Sequence, residues 1–263
     1  MCMTTFVRCL RRPARHDAYF ATQGRTGDCW LLAAVNAMAL SSSPPWRRVL
    51  RDAFGSRVRE CLTPGYRVRL YTRAGRASVV RVSTTVPRGD DGRAHYARGG
   101  LRAALLEKAA AELLGGYDAL DGGHVGDAVR MLAGPHRVRE RDFRDRSGLW
   151  VDVSAPAPPR ETVRYRAMPD YVSAALARGA LVFAARVASE REGVLHGLAP
   201  LHAHAILARR AGCVLVHDPA GPRGMRLAGE STDAEAAARG MVWIADEELR
   251  RHFDRIQVFE RKL

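Results

Sequence analysis

From Trp30 to Leu40 every residue is apolar except Asn36, which interrupts the run near its centre. A helix that is apolar on every side offers no face to water and has to lie inside a fold. The run is also far shorter than the roughly 20 residues needed to cross a bilayer. It therefore reads as a buried core helix around which the rest of the chain packs. With 263 residues there is room for one large domain or two small lobes sharing a sizeable core.

What stands at the mouth of this helix bears on chemistry. The residues before it read Gln23-Gly-Arg-Thr-Gly-Asp28-Cys29. A thiol at a helix N-terminus sits in the positive end of the macrodipole, which favours the thiolate and nucleophilic attack. Gln23, six residues upstream, carries an amide able to donate to an oxyanion forming beside Cys29. The bland alternative is that Cys29 is one more small residue in an apolar helix. Nucleophilic catalysis would require the remaining chain to supply a histidine and a group that orients it.

The first half mixes helix and hairpin. Ser41-Ser42-Ser43-Pro44-Pro45 breaks the chain after the apolar helix. Tyr66, Val68 and Leu70 alternate with polar residues, turn at Ala74-Gly75-Arg76 and continue through Val79, Val80 and Val82, an antiparallel hairpin. Leu101, Leu105, Ala109 and Leu113 mark an amphipathic helix that ends at Gly115-Gly116. From Gly134 to Pro159 charges and prolines abound without helical periodicity, which predicts a connection between two lobes. The second half reads as strand-rich. A helix from Met168 to Gly179 precedes strands at Leu181–Val187, His202–Ala208, Cys213–His217, Met241–Ile244 and Ile256–Phe259, with a short helix at Glu247–Phe253. The expected boundaries are 1–135 for an N-terminal lobe with the nucleophile helix and 136–263 for a β-rich C-terminal lobe.

Cysteine usage and charge narrow the setting. The five cysteines, Cys2, Cys9, Cys29, Cys61 and Cys213, follow neither a disulfide framework nor a zinc pattern and suit a reducing, cytoplasmic compartment. Met1–Leu10 lacks the apolar core of a signal peptide, so neither export nor membrane insertion is expected. A net charge of +14 ordinarily points to polyanions, yet only Lys108 and Lys262 are lysines and the arginines are scattered. Coding bias accounts for much of that composition, and specific nucleic-acid binding is not expected.

Gly27-Asp28-Cys29-Trp30-Leu31-Leu32-Ala33-Ala34 closely resembles the active-site helix of the calpains, a branch of the papain superfamily of cysteine proteases. Further segments are similar in the same order. They are Gly75–Asp91 with Pro87 and the Asp91-Gly92 turn, Ala104-Leu105-Leu106-Glu107-Lys108-Ala109, and Gly116-Tyr117-Asp118-Ala119-Leu120-Asp121-Gly122-Gly123. Gly197–Ile206 resembles the calpain strand that begins at the catalytic histidine. Val214–Gly221 resembles the strand that ends in Asn-Pro-Trp-Gly, and Thr232–Phe259 the close of the protease core. The resemblance implies a papain-like α+β fold of two lobes and a cysteine endopeptidase acting on protein substrates. Its site would comprise Cys29 as nucleophile, His202 as base, Asp218 as the orienting group and Gln23 in the oxyanion hole.

Departures from the family pattern matter as much. Asp218 replaces the orienting asparagine, and Ala220 replaces the tryptophan that shields it. An aspartate accepts from an imidazole N–H as an amide oxygen does, but a catalytically inactive calpain-like binding module is the competing reading. His204 lies two residues from His202 and on a strand shares its face, so facing alone does not choose the base. The His-x-His pair also admits a metal, with Cys213 or His196 nearby, although no further ligand spacing supports one. His217, facing the other way, reads as surface. In calpains a calcium ligand lies three residues before the oxyanion glutamine. Phe20 stands there, so calcium is not expected to be required, while Asp118 leaves room for a residual site.

Overall fold

The computed structural model describes residues 17–58, 65–85, 97–146, 149–154, 162–186, 201–222 and 234–262. A two-residue strand β1 (Ala21–Thr22) leads into α1 (Cys29–Leu40), the expected apolar helix, in which every residue from Cys29 to Ala39 is buried. Asn36 breaks the apolar run because it has a specific task. Its side-chain oxygen accepts from the Ala21 N–H at 3.1 Å, and its Nδ2 donates to the Ala21 carbonyl at 2.8 Å. The short β1 is thereby stitched to the helix it precedes. Trp30 is fixed in the same manner, its Nε1 donating to the Leu120 carbonyl at 3.0 Å.

The Pro44-Pro45 break lasts one turn only. A second helix, α2 (Pro44–Ala53), starts at once, with proline in the first turn where a missing N–H is harmless. The expected hairpin is present as β3 (Gly65–Tyr71) and β4 (Ala77–Ser83), joined by β2 (Phe54–Val58) in a three-stranded antiparallel sheet. Its continuation through Pro87 and Asp91-Gly92 lies outside the described residues. After β5 (Arg98–Gly99), which pairs with β1, comes α3 (Leu101–Leu114), closed by Gly115 in the left-handed conformation with φ 102°. A further helix, α4 (Val125–Ala133), packs on α1.

The stretch expected to be a connection is a correction. Residues 138–152 form two strands, β6 (Val138–Arg146) and β7 (Leu149–Asp152), inside an eight-stranded antiparallel sheet. The charges that made this stretch read as loop are paired. Asp142 takes a bidentate contact from Arg255 at 2.8 and 2.9 Å, and Glu140 is held by Arg130 and by Gln257. Strand β8 (Thr162–Arg164) and α5 (Met168–Ala177) follow, then β9 (Leu181–Arg186), β10 (His202–Arg210) and β11 (Cys213–His217). After α6 (Ala234–Ala238) come β12 (Met241–Ala245), α7 (Leu249–His252) and β13 (Arg255–Arg261). The sheet order is β12-β11-β10-β9-β13-β6-β7-β8, and helices with antiparallel sheets make the fold α+β.

Two consequences position the site. Helix α1 packs directly on β10, with Ala203 and Ala205 small enough to let the helix approach the sheet. Strands β10 and β11 pair antiparallel, Ala205 opposite His217, around the tight turn Ala211-Gly212 in which both residues have positive φ. The start of β10 thus lies beside the end of β11, under the N-terminus of α1.

Replacing Asn36 with Leu should leave both polar groups of Ala21 buried and unpaired, at about 1–3 kcal/mol each. The expected outcome is a clearly lower urea midpoint with an unchanged slope, read by far-UV circular dichroism.

Candidate functional site

Cys29 opens α1 and is almost fully buried. As the first helical residue its N–H has no intrahelical acceptor. The segment before it is braced from the α3–α4 connection. Gly27 N–H donates to Asp121 Oδ1 at 2.9 Å, and Gly122 N–H donates back to the Gly27 carbonyl at 3.0 Å. A side chain at Gly27 would meet Asp121 Oδ1 at 2.3 Å, and one at Gly123 would strike the Trp30 ring at 2.4 Å. Both glycines are required by this close approach.

His202 opens β10, directly after Leu201, whose φ of 55° is unusual for a residue other than glycine. Its Nε2 lies 2.7 Å from Asp218 Oδ1, and Cys29 is close enough to act on its charge. Burial disfavours the imidazolium, but the hydrogen-bonded Asp218 and the neighbouring Cys29 outweigh it and push its pKa up to about 10. Asp218, 1 % exposed, shows the reverse balance: burial would raise its pKa, but His202 and His204 hold its carboxyl well below the ordinary range. The same Oδ1 accepts the Ala220 N–H at 2.7 Å, so the tight turn after β11 fixes the carboxylate. Cys29, His202 and Asp218 therefore lie together, with imidazolium and carboxylate directly hydrogen-bonded.

Gln23 stands at the edge of this group. Its backbone N–H donates to the Pro219 carbonyl at 2.7 Å, tying it to the residue after Asp218. Its side-chain Nε2 donates to the Thr26 carbonyl at 2.6 Å, which uses one of the two amide protons. The four residues singled out in the sequence are thus brought to one place by three separate segments.

His204 belongs to the same cluster. It is fully buried, its Nε2 lies 3.7 Å from Asp218 Oδ2, and its ring meets His202 edge-on at 4.8 Å. Burial lowers its pKa, so it is neutral. The ligand atoms of His202, His204 and Asp218 fall within 4.8 Å of one another, the one group among the described residues with spacing suited to a metal. His217 is the second correction: it is buried, not on the surface. Strand β11 is an inner strand, and the Phe20 ring covers His217 edge-on at 5.3 Å. Burial lowers its pKa to about 4. Phe20 also lies beneath the Arg239 guanidinium, 5.3 Å from its centroid. Phe20 thus presents an aromatic ring to both an imidazole and a guanidinium, and Asp118 is exposed.

One feature of the site was not singled out from the sequence. Asp28, adjacent to Cys29, is fully buried and faces Glu107 of α3, which is 1 % exposed. Both oxygens of Glu107 accept from the Ala97 N–H at 3.0 Å. Two carboxyls buried near one another repel when both are charged, which favours the protonated form of each. Burial is the leading cause, followed for Glu107 by the hydrogen bond and charge of Asp28; Glu107 rises to about 9 and Asp28 to about 6, the latter helped by Asp121. Two acidic residues 79 positions apart give no signal of this pairing in a single sequence.

Residues 13–214 match the family model described as calpain family cysteine protease. The match takes in Gln23, Cys29 and His202 and ends before Asp218. No curated protein matches the chain.

The carboxyl pair makes stability depend on pH in a defined direction. An ordinary glutamate releases its proton near pH 4.5, whereas folded Glu107 keeps it to about 9. Between those values the folded state binds more protons than the unfolded chain, so stability falls as pH rises. Glu107→Gln, which resembles the protonated acid, should flatten this decline. Urea midpoints of the two proteins at pH 5 and pH 8.5 check it, and parallel declines would remove Glu107 as the cause.

Proposed function

Because the chain belongs to the calpain family of cysteine proteases, we propose that it is a cysteine endopeptidase that hydrolyses peptide bonds in protein substrates. The observation that carries this reading is His202, hydrogen-bonded at 2.7 Å to a buried, ionised Asp218 and set beside Cys29. An imidazolium so held stabilises a thiolate beside it, and the helix N-terminus adds to the same effect.

The Cys29 thiolate attacks the scissile carbonyl carbon, and its sulfur–carbon bond forms as the carbonyl π electrons move to oxygen. The Cys29 N–H and the second amide proton of Gln23 receive that oxyanion. Collapse of the intermediate breaks the carbon–nitrogen bond, and His202 passes its proton to the departing amine. A water molecule then gives a proton to His202 and attacks the acyl group, releasing the carboxylic acid and restoring the thiolate–imidazolium pair. Asp218 keeps the imidazole in the tautomer and orientation these transfers need.

In this reading the site lies between an N-terminal lobe, residues 1–135, and a C-terminal lobe, residues 136–263. Calcium is not required, since Phe20 offers no oxygen ligand. The enzyme works in a reducing, intracellular setting that keeps Cys29 a thiol, and its partners are protein substrates rather than specific nucleic acids. No helix among the described residues is long and apolar enough to cross a membrane.

Cys29→Ala should abolish cleavage of an unfolded protein substrate while leaving circular dichroism unchanged. An epoxysuccinyl probe should label Cys29 alone. A parent protein that neither cleaves nor labels would establish the inactive binding-module alternative. Gln23→Ala should lower kcat by about 100-fold or more with little change in KM; an effect confined to KM would move Gln23 to substrate binding. Activity should persist in excess chelator, and full loss restored by calcium would refute calcium independence.

A further inference from the structure

The Asp218 carboxylate has two oxygens with different neighbours. Oδ1 accepts from His202 Nε2 and from the Ala220 N–H, both at 2.7 Å. Oδ2 is buried, has no hydrogen bond within ordinary distance among the described residues, and faces His204 Nε2 at 3.7 Å. Neither nitrogen of His204 has a hydrogen bond there either. A buried imidazole and a buried carboxylate oxygen, each otherwise unmatched, point at one another.

Buried polar groups are seldom left unmatched, because each costs about 1–3 kcal/mol. The neutral imidazole has one N–H to give, and Oδ2 is the acceptor in front of it. At 3.7 Å the pair lies about 0.5 Å beyond the upper limit of a formed bond, and catalytic hydrogen bonds that are long in the free enzyme tighten when substrate enters. Phe253 closes the other side of His204, with ring centroids 5.3 Å apart, so the imidazole has little room to turn away.

We propose that His204 is a positioning residue: its Nε2–H donates to Asp218 Oδ2 and holds the carboxylate so that Oδ1 stays aimed at His202. The proposal rests on the cysteine-protease reading above. It also gives a reason for aspartate at position 218. An amide has a single acceptor oxygen, whereas a carboxylate serves His202 with one oxygen and His204 with the other. His204, backed by Phe253, also sets an aromatic ring against His202.

The test crosses His204→Phe, which keeps a buried aromatic ring and removes the N–H, with Asp218→Asn, which removes the second acceptor. A hydrogen bond to a charged group corresponds to about 10- to 100-fold. His204→Phe should lower kcat by that factor with Asp218 present, leaving KM nearly unchanged. In the Asp218→Asn protein the same change should act within about twofold, the ordinary range for uncoupled sites. His204→Gln, which keeps an N–H donor, should restore part of the loss and stands in if the phenylalanine variant fails to fold. Equal losses in both backgrounds, or no loss at all, would overturn the proposal.

A readout independent of turnover separates this proposal from the activity it rests on. In the Cys29→Ala protein the His202 Nε2 proton, hydrogen-bonded to Asp218, should give a downfield NMR resonance. Adding His204→Phe should shift it upfield or broaden it through faster exchange. An unmoved resonance counts against the role of His204 even if the parent proves inactive.

Discussion

The packing of an all-apolar helix against a strand is the constraint on which the rest of this protein depends. Helix α1 has no polar face, so sheet, helices and loops surround it, and its first residue is carried to the junction of several segments. Close approach to β10 is set by Ala203 and Ala205 on the strand. Because Cys29 and His202 begin the two packed elements, that single contact brings thiol and imidazole together. Asn36 and Trp30 then fix the loops on either side by bonding to the carbonyls of Ala21 and Leu120.

Buried charge is managed differently on the two sides of Cys29. Ahead of it, Asp28 and Glu107 are buried near one another, and burial with mutual repulsion pushes both toward the protonated form. Behind it, Asp218 remains ionised because imidazole groups surround it. The contrast follows from partners rather than depth, since all three carboxyls are almost inaccessible to water.

Much of the fold could be read before the structure, and the failures share a cause. The apolar helix, the β3–β4 hairpin, the Gly115-capped helix and the strands near residues 181, 202, 213 and 241 occur where hydrophobic pattern and turn residues put them. Strand β6 was hidden because its sequence, Val-Arg-Glu-Arg-Asp-Phe-Arg-Asp-Arg, shows charge where a buried strand shows aliphatics. Its carboxylates find partners in α4 and β13 that local sequence does not reveal. His217 looked exposed because alternation places it on the face opposite His202. Only the Phe20 ring and a neighbouring strand on each side bury it.

Residue chemistry in sequence decided which groups were available: a thiol at a helix mouth, an amide six residues before it, an imidazole opening a strand and a carboxylate ending the next. Local spacing was enough to bring His202 and Asp218 together, because a tight hairpin joins their strands. The rest required tertiary structure. That His204 turns to the second oxygen of Asp218, and that Asp28 meets Glu107, depends on elements packed from elsewhere in the chain. Burial, and with it the protonation state of each group, is a property of the assembled core: the cost of a charge is set by surroundings that no short stretch of sequence contains.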